Sequence, residues 1–201
     1  MSDHVFLLSP ARCNGERARL LLNPDASFDL AVRLRSRDGA TLGEAFAFLS
    51  GLYFRGKLAY ARAFGRPDRG AFVITTSRGL VAPDERVRRT DLVAFSQVDI
   101  AGADPRFVKP LCRSAEALRS SLRADACVVL LGSIATAKYV DPLLEVFDNR
   151  LLFPTDFVGR GDMSRGGLLL RCVREHRELA YEPVAGAVRH GKRPAKLERM
   201  R

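Results

Sequence analysis

The chain has 201 residues, 47% of them hydrophobic and 28% charged, with a formal net charge of +10. That length supports one domain with a sizeable core, and the composition excludes wholesale disorder. The longest apolar runs, residues 127–131 and 168–170, fall far short of the about 18 to 20 residues that cross a bilayer, so no membrane partner is expected.

The elements follow in chain order. Residues 5–8 are an apolar run stopped by Ser9-Pro10, read as a buried strand feeding a loop at 11–15 and a helix over 16–22. Asn23-Pro24-Asp25 ends that helix. Residues 29–35 alternate, with Leu30, Val32 and Leu34 on one side, which fits an exposed strand or a short amphipathic element. Residues 42–64 carry apolar side chains at helical spacing and predict one long helix or two, with Gly51 and Gly56 as the interruptions. Residues 71–75 read as a second strand ending in Thr76-Ser77-Arg78-Gly79, and residues 83–96 are polar and then amphipathic.

A helix is expected over 112–124, a third strand over 126–131, and a helix over 135–147 interrupted at Pro142. Residues 150–153 predict a fourth strand, ended by Pro154-Thr155-Asp156. A glycine-rich loop at 159–167 then leads into a helix from Leu168 to about His176, with a last short strand at 179–181. Strands that alternate with helices and lack a polar face predict a parallel sheet covered on both sides. The expected fold is a three-layer α/β/α domain over residues 1–185, with a mostly parallel sheet of four to five strands.

Residues 186–201 carry six basic side chains against Glu198, so half of the net charge lies in a tail expected to be flexible. Only five of the 33 basic residues are lysine, and arginine's planar fork suits phosphate. Such charge predicts a nucleic-acid or nucleotide partner. The four cysteines lie far apart without ligand spacing, so neither zinc nor a disulfide is expected, and no cofactor. Met1-Ser2-Asp3-His4 lacks the pattern of a secretory signal, which makes cytoplasmic the expected location.

Ligands of such folds bind beyond the carboxyl ends of the strands. The residues expected there are Ser9, Arg12, Cys13, Asn14, Glu16 and Arg17 after the first strand, and Thr76, Ser77 and Arg78 after the second. Gly132, Ser133 and Thr136 follow the third, and Asp156, Arg160, Asp162, Ser164 and Arg165 the fourth. For phosphate or nucleic acid the set reads Arg12, Arg17, Ser77, Arg78, Ser133, Arg160, Ser164 and Arg165, with Arg160 and Arg165 as clamps on a glycine-rich cradle. The carboxylates placed for chemistry are Glu16, Asp84, Glu85, Asp156 and Asp162, of which Glu16 or Asp156 would position water. Cys13, beside Arg12 and Arg17, is a candidate nucleophile of lowered pKa.

One segment misleads. Gly51-Leu52-Tyr53-Phe54-Arg55-Gly56-Lys57-Leu58 matches a phosphate-binding loop until Leu58, but it lies within a helical pattern and not after a strand. Tyr53, Lys57 and Tyr60 share one face of that helix.

Val128-Val129-Leu130-Leu131-Gly132-Ser133-Ile134-Ala135 resembles the strand and Gly-x-x-Ala turn of the uracil-DNA glycosylase superfamily. Leu152-Phe153-Pro154-Thr155-Asp156-Phe157 resembles the strand end from which that family's Pro-Thr-x-His-Pro-Ser motif enters the minor groove. The resemblance covers mainly residues 126–170. It implies a metal-independent three-layer protein that binds DNA, favoured over RNA, or free nucleobases, and hydrolyses a base–sugar bond. The loop at 9–17 would then hold the water-activating group, Asn14 or Glu16, and residues 74–77 would lie near the base. The chain departs from the family in having Asp156-Phe157-Val158 for His-Pro-Ser and no Gly-Asp-Pro-Tyr in its first loop. The alternatives are a non-catalytic partner of nucleic acid or an acidic protein, and an enzyme on a small phosphorylated or nucleoside substrate.

Overall fold

Val5–Leu8, strand β1, is apolar at every position because both of its faces are covered: Phe6 and Leu8 point into one helical layer, Val5 and Leu7 into the other. The computed structural model describes residues 4–67, 69–101, 104–135, 137–195 and 197, so Thr136 and the tail positions 196 and 198–201 lie outside the described residues. In chain order β1 is followed by α1 (Glu16–Leu22), α2 (Asp29–Arg35), β2 (Ala40–Thr41), α3 (Leu42–Ser50) and α4 (Leu52–Phe64). Next come β3 (Ala71–Thr75), β4 (Gly79–Val81), β5 (Arg86–Val87), α5 (Arg89–Ser96) and α6 (Pro105–Ser121). The chain continues through β6 (Val128–Leu131), α7 (Ala137–Phe147), β7 (Leu151–Pro154), α8 (Asp162–Arg174) and β8 (Tyr181–Pro183).

The central sheet has six strands in the order β4-β3-β1-β6-β7-β8, one more than the upper expectation. Its inner four are parallel, and the edge strands β4 and β8 run antiparallel. β4 is three residues long and pairs through the turn at Thr76–Arg78, too short for an alternation to mark it in sequence. β2 and β5 form a separate two-stranded antiparallel ribbon. Helices α1 to α5 and α8 cover one face, and α6 and α7 cover the other, which completes the three layers. Among the described residues no helix is long and apolar enough to cross a membrane.

The structure resolves two open readings, at 29–35 and 42–64, and corrects the start of one helix, each for an identifiable reason. Residues 29–35 form a helix with Ala31 and Leu34 buried, tied by Arg33 to Asp29 at 2.9 Å and to Glu44 at 2.8 Å. Glu44 also closes a capping box with Thr41 at the start of α3. The stretch 42–64 breaks once, at Gly51 (φ +60°), while Gly56 stays helical. Helix α6 starts seven residues before the expected 112, with Asp104 capping the Arg106 amide at 2.8 Å and Pro105 at its first position.

Helix α8 starts at Asp162, so most of the predicted glycine-rich loop is helical. Gly166 faces Gly56 of α4 at the helix crossing. A Cβ on Gly56 would lie 2.7 Å from the Gly166 carbonyl oxygen, and one on Gly166 would lie 2.8 Å from the Tyr53 Cα. The glycines admit a backbone, not a phosphate.

Candidate functional site

The connection from β1 to β3 crosses one face of the sheet through α4, and that from β6 to β7 crosses the other through α7. The loops leaving the neighbouring strands β1 and β6 therefore diverge, and open α/β sheets bind ligands in the crevice this opens. Here the crevice continues into a cavity of about 650 Å³. Pro10, Ala11, Arg12, Cys13 and Asn14 from the β1 loop line it, with Thr76 from the end of β3. Phe95 and Ser96 at the end of α5, the following Gln97, Val98, Asp99 and Ile100, and Lys138 in the first turn of α7 complete the wall. Pro10, Phe95, Val98 and Ile100 are among its apolar lining residues. Arg12 and Lys138 are exposed cations, and Asp99 is the one carboxylate among the lining residues.

The cations are available. Arg12 spends one donor on the Asn14 side chain, Nε to Oδ1 at 2.9 Å. Lys138 has no hydrogen bond or ion pair among the described residues. Asp99 folds back onto the Ala101 amide at 2.8 Å. Cys13 also reaches the wall, but its thiol donates to the Ala11 carbonyl at 3.6 Å, and burial pushes its pKa up to about 12. This corrects the expectation of an activated thiolate: desolvation outweighs two arginines turned elsewhere.

Of the sequence-selected residues, Arg12 and Asn14 meet in the cavity. Glu16 is exposed in the first turn of α1 and Asp156 is exposed in the turn after β7; neither lines it. Arg17 donates to the Phe48 carbonyl at 3.0 Å. Ser77 is half-buried in the β3–β4 turn, beside Arg78, which pairs with Glu85 at 3.6 Å and Asp91 at 3.7 Å. Ser133 is half-buried, its carbonyl accepting from the Tyr139 hydroxyl at 3.0 Å.

The end of β7 differs. Arg165 is 8% exposed, and its guanidinium donates twice to the Phe157 carbonyl, at 3.0 and 3.2 Å, and to Asp162 at 3.3 Å. Arg160 donates to the Asp156 carbonyl at 2.9 Å, to Ser164 Oγ at 3.3 Å and to the Ala195 carbonyl at 3.5 Å. The described part of the tail lies against this segment. A Cβ on Gly191 would lie 2.7 Å from the Val158 side chain, one on Gly167 would lie 3.7 Å from Leu197, and Arg189 pairs with Asp141 of α7 at 3.2 Å.

What sequence reasoning passed over is Lys57. It is 1% exposed, and its ammonium nitrogen lies 2.7 Å from the Ser9 carbonyl oxygen and 2.9 Å from Ser9 Oγ, at the carboxyl end of the central strand. Tyr53 and Phe54 place their rings 4.4 and 5.0 Å from it. Burial lowers its pKa to about 7, which the Asp162 charge opposes and the Arg165 charge reinforces. The Tyr53 hydroxyl is buried without a hydrogen-bond partner in bonding geometry, although the nearby Arg165 acts against the rise that burial gives its pKa. The signal was present: a lysine between two tyrosines on an amphipathic face, all three buried in the structure. Among the described residues no three His, Cys, Asp or Glu side chains come together as metal ligands would. Comparison of the chain with protein-family models, curated proteins and solved structures finds no match.

Proposed function

We propose that the chain binds a nucleotide-class ligand, a flat ring carrying phosphate, in the cavity at the carboxyl ends of β1 and β3. The carrying observation is that this cavity, at the switch point, joins apolar lining residues to two exposed cations, Lys138 and Arg12, the latter spending one donor on Asn14. Its volume of about 650 Å³ falls within the roughly 300–1,000 Å³ of small-molecule sites. Val98 and Ile100, half-buried, offer a surface for a base, Arg12 and Lys138 offer charge-assisted bonds to phosphate, and Asn14, Thr76, Ser96 and Gln97 offer polar contacts to base edges or sugar. Hydrolysis of a base–sugar bond, which the glycosylase resemblance implies, would draw on Asn14 within this cavity.

Polynucleotide binding is the second reading, and the tail supports it. Arg189 pairs with Asp141, one helical turn from Lys138, and the Lys192 backbone lies against Gly159 in the segment after β7, so the tail adds cations to the carboxyl end of the sheet.

Thermal unfolding with AMP, GMP and single- and double-stranded oligonucleotides, across a salt series, separates the readings. Mononucleotides at 100 times Kd stabilise by about 2.7 kcal/mol, and Arg12→Ala with Lys138→Ala abolishes the effect. Stabilisation by oligonucleotides alone, with a salt slope that falls by about 2 in the double variant, transfers the assignment to nucleic acid. Absence of both effects refutes it.

A further inference from the structure

Ser9 stands at the junction between the central strand and the cavity loop. It is 6% exposed, and the next residue, Pro10, lines the cavity. Its hydroxyl lies 2.9 Å from Lys57 Nζ, and the same amine reaches the Ser9 carbonyl at 2.7 Å, which fixes the nitrogen relative to both oxygens. Gly132, at the end of β6, lets the serine pack closely against it: a Cβ there would lie 2.9 Å from Ser9 Cβ and 3.3 Å from its Oγ. Tyr139 of α7 borders the same space, with its hydroxyl 2.9 Å from that Cβ position. No carboxylate forms an ion pair with Lys57 among the described residues: Asp162, whose charge it feels, pairs with Arg165 instead.

We propose that Ser9 and Lys57 form a nucleophile–base pair acting on the carbonyl carbon of a carboxylic ester or thioester. A serine hydroxyl is a weak nucleophile unless an adjacent base takes its proton, and serine–lysine pairs meet that need. Ser9 Oγ forms the bond to the carbonyl carbon as its proton passes to the neutral amine of Lys57. Collapse of the tetrahedral adduct breaks the bond to the leaving alcohol or thiol, which takes that proton from Lys57. Water then adds to the acyl-serine carbon, gives a proton to the same amine, and releases the carboxylic acid as Ser9 recovers its hydrogen.

Desolvation holds Lys57 neutral above about pH 7, where a base must be unprotonated. The charged and titratable groups around it are Asp162 and Arg165 from α8, Tyr53 on its own helix, and Tyr139 from α7 across Ser9.

The test needs no knowledge of the natural substrate. The full chain is treated with a fluorophosphonate, which modifies activated serines, and the adduct is located by peptide mass spectrometry. Ser9 is expected to be labelled, with a rate that rises through about pH 7 and levels above pH 8. Ser9→Ala removes the adduct, and Lys57→Met slows it at least 100-fold while circular dichroism reports an intact fold. An unlabelled Ser9 at pH 8.5 overturns the proposal, as does labelling indifferent to Lys57→Met. Should Lys57→Met fail to fold, the wild-type pH profile decides: a rate still rising above pH 9 excludes Lys57 as the base. Nucleotide binding is read separately, so either inference can fail alone.

Discussion

The ends of β1 and β7 both release the chain into arginine-bearing segments at the same edge of the sheet, yet the arginines meet opposite fates. After β1, Arg12 stays exposed on a cavity wall, with a single bond to Asn14. After β7, Arg165 is buried and donates to the Phe157 carbonyl and Asp162, while Arg160 is half-buried and donates to the Asp156 carbonyl, Ser164 and the Ala195 carbonyl of the tail. Residue type and strand-end position are the same. What differs is the next helix. Seven residues separate strand from helix in both cases (9–15 and 155–161), but α8 packs backbone to backbone on α4 at Gly166 and draws its first turn into the protein, whereas α1 makes no such crossing. A guanidinium can bind phosphate only where no backbone carbonyl has claimed it first.

The largest effect falls at the helix crossing on the β7 side. Gly166→Val drives side-chain atoms into the Tyr53 Cα and the Leu52 carbonyl, and is expected to lower the unfolding free energy by about 3 kcal/mol in urea titration. A neutral outcome would return these glycines to the phosphate-cradle reading. Next, Arg165→Met removes both guanidinium bonds to the Phe157 carbonyl, leaving it the Arg160 amide alone at 3.2 Å, and should cost about 2 kcal/mol. A variant as stable as wild type would place Arg165 with the ligand-binding cations.

The third effect probes the floor beneath the β1 loop. Lys57 titrates at about 7 in the folded chain against 10.5 when free, so between those values the unfolded state holds a proton that the folded state does not. Stability therefore rises with pH in that window, by about 1.5 kcal/mol from pH 7 to 8.5. Cys13, held at about 12 against 9.0, opposes the rise from pH 9 upward, because there the unfolded thiol loses its proton first. Urea midpoints at pH 7 and 8.5 should differ in wild type and coincide in Lys57→Met. The smallest effect sharpens the contrast most: Arg12→Met should alter stability by less than about 0.5 kcal/mol, since its side chain is exposed with one polar contact. A larger loss would make Arg12 structural like Arg165.

The four inner strands, the layering and the switch-point edge were legible because each rests on local pattern. Four-residue apolar runs such as 5–8 and 128–131 can only be covered on both faces, and punctuation such as Ser9-Pro10 and Gly132-Ser133 marks where they end. Edge strands β4 and β8 left weak signals because pairing on one side constrains only a few residues. The start of α8 was hidden because Gly166 and Gly167 disfavour a helix intrinsically, and only the surface of α4 compensates.

Sequence alone thus determined the fold class, the edge where chemistry can occur and the presence there of Arg12 and Asn14, since hydrophobic period and turn residues act over a few positions. Tertiary structure decided which charges are free and which are spent. It brought Ser9 to Lys57 across 48 residues, set Phe95 and Lys138 around one cavity, and turned Arg165 inward. Those outcomes depend on desolvation and on competition for carbonyl oxygens between segments remote in the chain, quantities that come into being only when the layers close.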